Sequence, residues 1–113
     1  MLPAPKLIAL YFYADWCPSC KTLSPELAKA RKEAKLDGSD IVFVTLNLTN
    51  KTTIHQSSLL ASALDVDEYV KQQGSATGYI AVLDANSKKE LLRLDKSDDA
   101  ASITTRLQQT LAQ

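Results

Sequence analysis

The chain has 113 residues, 45% of them hydrophobic, and its 13 basic and 13 acidic side chains give a formal net charge of zero. This length is enough for one domain, predicted over residues 1–113, whose core needs no disulfide or metal to hold it together. The balanced charge gives no reason to expect nucleic acid as a partner, and no apolar stretch approaches the roughly 20 residues that span a bilayer. We therefore expect a monomer that does not insert into membranes.

The first predicted strand, Leu7–Tyr13, is aliphatic and aromatic almost throughout, which is typical of a strand buried on both faces. A helix is predicted from Pro18 to Lys35, with a kink at Pro25, because apolar side chains recur on one helical face: Leu23, Leu27, Ala30 and Ala34. Cys17 and Cys20, the only cysteines of the chain, lie at the turn between strand and helix. Any thiol chemistry therefore takes place at this turn.

The middle of the chain continues with a turn over residues 37–40 and a second strand, Ile41–Leu48. One or two helical turns are predicted between Thr53 and Ala63, with three apolar side chains facing inward: Ile54, Leu59 and Leu60. The only histidine, His55, has polar neighbours and is expected on the surface. This segment could shape the choice of substrate, or it could be a solvated addition to the surface.

A further helix is predicted before Gly74, where Asp65 and Glu68 have the spacing of a capping box and the apolar face consists of Val66, Tyr69 and Val70. Tyr79–Leu83 and Glu90–Leu94 predict a hairpin. The last helix is expected to begin at Asp98 or Asp99, with one apolar face formed by Ile103, Leu107 and Leu111. The first strand, helix and second strand predict a right-handed parallel unit.

The position of the cysteines gives a physical reason for reactivity. Proline is favoured at the first helical position, so Pro18 predicts that Cys17 is the N-cap. The Cys17 sulfur would then face the free amides of Ser19 and Cys20 and the positive end of the helix dipole, which favour a thiolate. Cys20, one turn inside the helix, is expected to be more shielded. This division predicts Cys17 as the attacking nucleophile and Cys20 as the resolving thiol.

Two other interpretations of the cysteine pair are weaker. A closed zinc site needs four ligands, and beyond the two cysteines the chain offers only His55 as a good one. A purely structural disulfide across so small a loop would restrain the unfolded chain little. The order of strand, Cys-x-x-Cys and helix therefore favours redox chemistry.

The segment Tyr13–Lys21, followed by Pro25, resembles the active-site segment of the thioredoxin superfamily. Its residues are most similar to those of bacterial thioredoxin-like domains that work outside the cytoplasm, including C-terminal domains of the DsbD type. The resemblance implies an α/β thioredoxin-like fold, with a central mixed sheet of about four strands flanked by helices, lacking the first strand and helix of a full thioredoxin. It also implies that Trp16, Pro18, Ser19, Thr77 and Gly78 contact substrate.

The sequence departs from the thioredoxin pattern near the cysteines. Thioredoxins place a cis-proline where strand alignment puts Gly78, and since a cis bond without proline costs about 2.5–4 kcal/mol, the Thr77–Gly78 bond is expected to be trans. Six residues before Cys17 they have a buried aspartate that assists the resolving thiol, whereas this chain has Tyr11. Asp15 is the candidate that could support proton transfer in its place.

These observations predict a thiol–disulfide oxidoreductase that acts on protein disulfides or dithiols, as a reductase or electron relay, without a cofactor or a metal. The alternative is a non-catalytic binding module, or a metal-handling one in which two chains each supply two cysteines to an iron–sulfur cluster. The resemblance favours the bacterial periplasm or another extracytoplasmic space, with the cytoplasm as the alternative. The substrate and the direction of electron flow are not predicted by the sequence.

Overall fold

The structure, a computed structural model, describes residues 5–36 and 40–113. Within them the elements follow in the order β1 (Leu7–Tyr13), α1 (Pro18–Glu33), β2 (Ile41–Asn47), α2 (Lys51–Ala63), α3 (Asp67–Gln73), β3 (Tyr79–Asp84), β4 (Glu90–Asp95) and α4 (Ala100–Leu111). Most of the turn predicted over residues 37–40 lies outside the described residues. No helix in the described part of the chain is both long enough and apolar enough to cross a membrane.

The four strands form one mixed sheet in the order β2-β1-β3-β4. β1 is parallel to β2 and antiparallel to β3, and β3 is antiparallel to β4. β1 therefore lies inside the sheet, and helices cover both of its faces, which explains why its sequence is apolar almost throughout. This architecture confirms the predicted α/β fold with a four-stranded mixed sheet flanked by helices.

Alternate residues of β1 supply two separate cores, one on each face of the sheet. Leu7, Ala9 and Tyr11 pack with α1 and α4, whereas Ile8, Leu10 and Phe12 pack with α2 and α3. The sheet is thus the middle layer of three. Because α1 begins directly after β1, the cysteines lie at the edge of the first core, at the carboxyl end of the central strand.

α2 is a full helix, and the prediction for its inward face was wrong. Ile54, Leu59 and Leu60 are 44%, 60% and 40% exposed, and Ser57 and Ala61 are buried instead. A capping box fixes the start of the helix, since Asn50 Oδ1 accepts from the Thr53 amide and Thr53 Oγ1 from the Asn50 amide.

The small buried face of α2 is anchored to the sheet by a polar contact. Ser57 Oγ donates to the Asn47 carbonyl at the end of β2 over 2.9 Å. This bond and the small Ala61 let the helix approach the sheet closely, which the larger leucines would prevent. A prediction based only on the size of the apolar side chains therefore turned the wrong face of this helix toward the sheet. His55 is exposed, as predicted.

The capping box predicted for α3 does not form. Asp65 has a left-handed backbone with φ of +59°, and the N-cap is Val66, which has no side-chain cap. The Val66 amide instead donates to the Ala61 carbonyl over 2.9 Å and closes the end of α2. The predicted apolar face is confirmed, since Val66 is buried and Tyr69 and Val70 pack against the second core.

The ends of α1 and α4 lie close to the predicted positions. α1 is one helix that contains Pro25 and ends at Glu33, two residues before the predicted end. The N-cap of α4 is Asp99, whose side chain accepts from the Ser102 amide over 2.8 Å. Asp98 is buried beside it and accepts from Arg106 Nη1 over 2.9 Å. Ile103 and Leu107 are fully buried, as predicted, and Leu111 is partly buried against the same core.

The orientation of α2 is tested by comparing two leucines. Leu59→Ser is expected to change the free energy of unfolding by no more than about 0.5 kcal/mol, because this side chain is mostly exposed. Leu107→Ala, which removes a fully buried side chain, is expected to lower it by about 2–5 kcal/mol. Denaturant unfolding of both variants measures these changes. A large loss from Leu59→Ser would contradict the orientation of α2.

Candidate active site

Cys17 lies at the N-terminus of α1, as the sequence predicts. It is the N-cap, with φ of −84° and ψ of 113°, and Pro18 occupies the first turn. Cys17 Sγ accepts a hydrogen bond from the Cys20 amide over 3.2 Å. The free amides of the first helical turn therefore point at the sulfur and favour its ionised form.

The surroundings of Cys17 make it the more acidic thiol. Burial raises the pKa of this group, but hydrogen bonds with the Cys20 and Thr77 side chains and with the Cys20 and Ser19 amides outweigh burial and bring the pKa below its ordinary value. Its side chain is only 3% exposed.

Cys20 has the opposite character. It is 1% exposed, and burial together with the hydrogen bond to Cys17 raises its pKa above the ordinary value. Its Sγ donates to the Phe12 carbonyl, at 3.8 Å. The structure thus places a low-pKa thiol at the helix terminus and a high-pKa thiol one turn inside it.

Two hydroxyl groups lie beneath Cys20. The Tyr11 hydroxyl donates to the Cys20 carbonyl over 3.2 Å and is 2.6 Å from Ser24 Oγ. The sequence analysis noted Tyr11 as a departure from the thioredoxin pattern but missed Ser24. The available signal was its spacing, since Ser24 follows Cys20 by one helical turn and so shares its face of α1.

Trp16 and Asp15 lie on the surface beside the cysteines. Trp16 is 59% exposed, and its Nε1 donates to the Thr49 carbonyl over 3.0 Å. Asp15 is also exposed; its Oδ1 accepts from the Tyr13 hydroxyl over 2.7 Å, and its amide donates to Thr49 Oγ1 over 3.0 Å. Thr49, which the sequence analysis did not single out, therefore fixes the loop before Cys17 to the end of β2.

Thr77 and Gly78 lie against the cysteine turn. The Thr77–Gly78 bond is trans, as predicted. Gly78 has φ of +93°, and a Cβ added to it would lie 2.7 Å from Ser19 Cβ and 3.2 Å from Cys17 Sγ. Its amide donates to the Phe12 carbonyl over 2.8 Å. Proline fits neither this φ nor this hydrogen bond, so glycine is required by the backbone found here.

The structure therefore brings together most of the predicted site residues. Thr77, Gly78 and the half-buried Ser19 surround Cys17, with the exposed Pro18 and Trp16 at the rim. No group of three or more potential metal ligands occurs among residues 5–36 and 40–113. A cluster bound by cysteines would need ligands from a second chain.

The comparisons with known proteins agree with this geometry. A model of the thioredoxin family matches residues 2–72 of the chain. The chain belongs to the thioredoxin family. Protein disulfide-isomerase of Oryctolagus cuniculus is 42% identical to this thioredoxin-family chain over 55 residues, which are 49% of the chain and 11% of that protein. A TxlA homologue of Synechocystis, named as a thiol:disulfide interchange protein, is 44% identical over 39 residues, which are 34% of the chain and 20% of that protein.

Solved structures share the fold over nearly the whole chain. Thioredoxin-2 of the malaria parasite superposes with a TM-score of 0.57 at 23% identity, covering 92% of this chain and 82% of that one. StoA from Bacillus subtilis superposes with a TM-score of 0.58 at 16% identity, covering 91% and 83%. The similarity to DsbD-type domains stays a prediction.

The two thiols are expected to react with an alkylating reagent at different pH values. Cys17 should be modified first, with a rate that rises with pH and reaches half its maximum at a lower pH than for an unperturbed cysteine, because its pKa is lowered. Cys20 should react only at higher pH, because burial raises its pKa. Mass spectrometry of quenched samples over a pH series measures both profiles. Equal reactivity of the two thiols would contradict the assignment.

Gly78 is expected to tolerate no side chain. Gly78→Ala should lower the free energy of unfolding by about 1–3 kcal/mol, because the added Cβ meets Ser19 and Cys17 in a strained backbone. Gly74→Ala is the matched control, since φ at Gly74 is +68° but no atom lies within 4 Å of the added Cβ. Denaturant unfolding of both variants measures the effect. A loss no larger at position 78 than at position 74 would show that crowding there is unimportant.

Proposed function

We propose that this protein is a thiol–disulfide oxidoreductase that exchanges the Cys17–Cys20 dithiol with disulfides of protein substrates. The observation that carries the proposal is the pairing of a low-pKa thiol at the N-terminus of α1 with a high-pKa thiol one turn inside it. The lowered pKa of Cys17 favours the nucleophilic thiolate, and the raised pKa of Cys20 favours a resolving thiol that keeps its proton until a mixed disulfide has formed. The similarity to protein disulfide-isomerases over about half of the chain supports the same reaction class.

In the reducing direction, the Cys17 thiolate attacks one sulfur of the substrate disulfide. That bond breaks, the second substrate sulfur leaves as a thiolate, and Cys17 is held in a mixed disulfide. Cys20 then loses its proton and attacks Cys17 Sγ, which releases the first substrate sulfur. The substrate gains two electrons and two protons, and the protein ends with a Cys17–Cys20 disulfide.

The substrate is proposed to dock around Cys17. Trp16 offers an exposed flat ring that its bond to Thr49 holds in place, and Pro18 and Ser19 begin the helix beside it. Thr77 and Gly78 flank the sulfur from the other side. Since Gly78 has no side chain, backbone rather than side-chain atoms face an incoming disulfide there. Asp15 remains the sequence-based candidate for proton transfer.

The role of reductase or electron relay rests on the resemblance to DsbD-type domains, as does an extracytoplasmic location, with the cytoplasm as the alternative. Family reduction potentials run from about −270 to about −120 mV, so a potential near the lower end favours a reductase. We also propose that the protein consists of a single domain and works as a monomer. The alternative function, a binding or metal-handling module, is favoured by the altered Thr77–Gly78 segment.

Two cysteine variants test the function. Cys17→Ser is expected to abolish reduction of a protein disulfide, whereas Cys20→Ser should still attack and accumulate a mixed disulfide, because only the resolving thiol is missing. Insulin reduction and non-reducing mass spectrometry measure the two effects, and thiol–disulfide buffers give the potential of the wild-type pair. Partner binding that survives Cys17→Ser, in a wild-type protein that reduces no disulfide, would instead support the binding module.

A further inference from the structure

A pair of hydroxyl groups lies beneath Cys20, away from the substrate side of Cys17. Tyr11 is 6% exposed, and its hydroxyl lies 2.6 Å from Ser24 Oγ and 3.2 Å from the Cys20 carbonyl oxygen, to which it donates. Ser24 follows Cys20 by one turn of α1, so both partners of the phenol come from one helix. This arrangement fixes the Tyr11 hydroxyl beside the resolving cysteine.

The Cys20 sulfur needs different partners before and after it ionises. As a thiol it donates to the Phe12 carbonyl at 3.8 Å. As a thiolate it has no proton to donate, and a buried negative charge needs hydrogen-bond donors. The Tyr11 hydroxyl is placed to supply one, because it lies 3.2 Å from the carbonyl oxygen of the same residue and its proton can rotate from that oxygen to the sulfur. In agreement with this, Tyr11 lowers the Cys20 pKa, against the larger effect of burial.

Tyr11 is not suited to remove the proton from Cys20. Burial, the largest influence on this group, raises the pKa of the phenol far above its ordinary value, so the hydroxyl keeps its proton at any physiological pH. A group that keeps its own proton can donate a hydrogen bond but cannot act as a base. A carboxylate differs, because it has no proton to donate and can accept one from the thiol.

We propose that Tyr11, oriented by Ser24, stabilises the Cys20 thiolate by donating a hydrogen bond to it while the mixed disulfide is resolved. The inference rests on the proposed exchange reaction. Cys20 ionises, its thiolate attacks Cys17 Sγ, the bond from Cys17 to the substrate sulfur breaks, and the released substrate thiolate takes up one proton in place of the one that Cys20 lost. Tyr11 ends the step with the proton with which it began.

The surroundings of this pair leave few other groups that could produce the same effect. Cys17 is the other ionisable side chain that acts on Cys20, and Tyr13 lies edge-on to Tyr11 with ring centres 5.7 Å apart. From β3 and α4, the core side chains on this face are aliphatic: Ile80, Val82, Ile103 and Leu107. A pH effect from removing the Tyr11 hydroxyl can therefore be assigned to Cys20.

The test is Tyr11→Phe in the full chain, with Tyr79→Phe as the matched control. Tyr79 is buried to a similar degree, and its hydroxyl also forms a hydrogen bond, but it packs in the core on the other face of the sheet. Rapid-quench kinetics with a peptide disulfide give the rate at which the mixed disulfide is resolved at each pH. Tyr11→Phe should slow it about tenfold at neutral pH and move its midpoint up by about one unit, while Tyr79→Phe should leave both unchanged.

A second measurement decides the proposal even if the protein exchanges no disulfide. In a Cys17→Ser background only Cys20 titrates as a thiol, and ultraviolet absorbance follows its thiolate. Adding Tyr11→Phe should raise the Cys20 pKa, and Ser24→Ala should raise it less. If the wild-type protein exchanges no disulfide, the proposed function is wrong, but this titration still tests the hydrogen bond from Tyr11 to Cys20.

Three results would overturn the inference. The first is a Cys20 titration unchanged by Tyr11→Phe in protein shown by thermal unfolding to be folded. The second, if Tyr11→Phe does not fold, is a Cys20 titration unchanged by Ser24→Ala. The third is a resolution rate that falls in Asp15→Asn but not in Tyr11→Phe, which would assign proton transfer to the exposed carboxylate.

Discussion

The carbonyl group of Phe12 holds the site together. It lies near the end of the central strand, accepts the Gly78 amide over 2.8 Å, and accepts the Cys20 thiol at 3.8 Å. One acceptor on β1 thus fixes both the segment before β3 and the first turn of α1. Because both contacts use the same oxygen, the distance between the cysteine turn and the Thr77–Gly78 segment is set by the sheet rather than by flexible loops.

Reactivity follows from this rigid placement. The same strand end presents Cys17 to the free amides of α1 and buries Cys20 behind it, so burial and helix geometry separate the pKa values of two chemically identical side chains. No charged group of opposite sign is needed for the separation. The proposed exchange requires Cys20 to ionise although it is buried, and the hydroxyl groups of Tyr11 and Ser24 are the polar side-chain groups beneath it.

The strands, the cysteine turn and the buried faces of α1 and α4 could be predicted from the sequence, because local patterns determine them: a continuous apolar run, a proline at a helix start and aliphatic residues at helical spacing. The inward face of α2 could not, since it depends on the capping box at Asn50 and the bond from Ser57 to Asn47, which select a small face over a larger apolar one. Thr49 was missed for a related reason, because its role comes from a contact with Trp16, which is distant in sequence and which no local pattern encodes. Ser24 differs, since its spacing from Cys20 placed it on the right helical face but did not show its contact with Tyr11.

The burial of both sulfurs also bears on how the protein withstands oxidants. Stepwise oxidation of cysteine to sulfinic and sulfonic acids is favoured at thiolates that are open to solvent, and Cys17 and Cys20 are only 3% and 1% exposed. If peroxide does reach Cys17, the sulfenic acid forms one helical turn from Cys20, which can condense with it to a disulfide. Oxidation at this site is thereby converted into the same reversible disulfide in which the proposed exchange reaction ends.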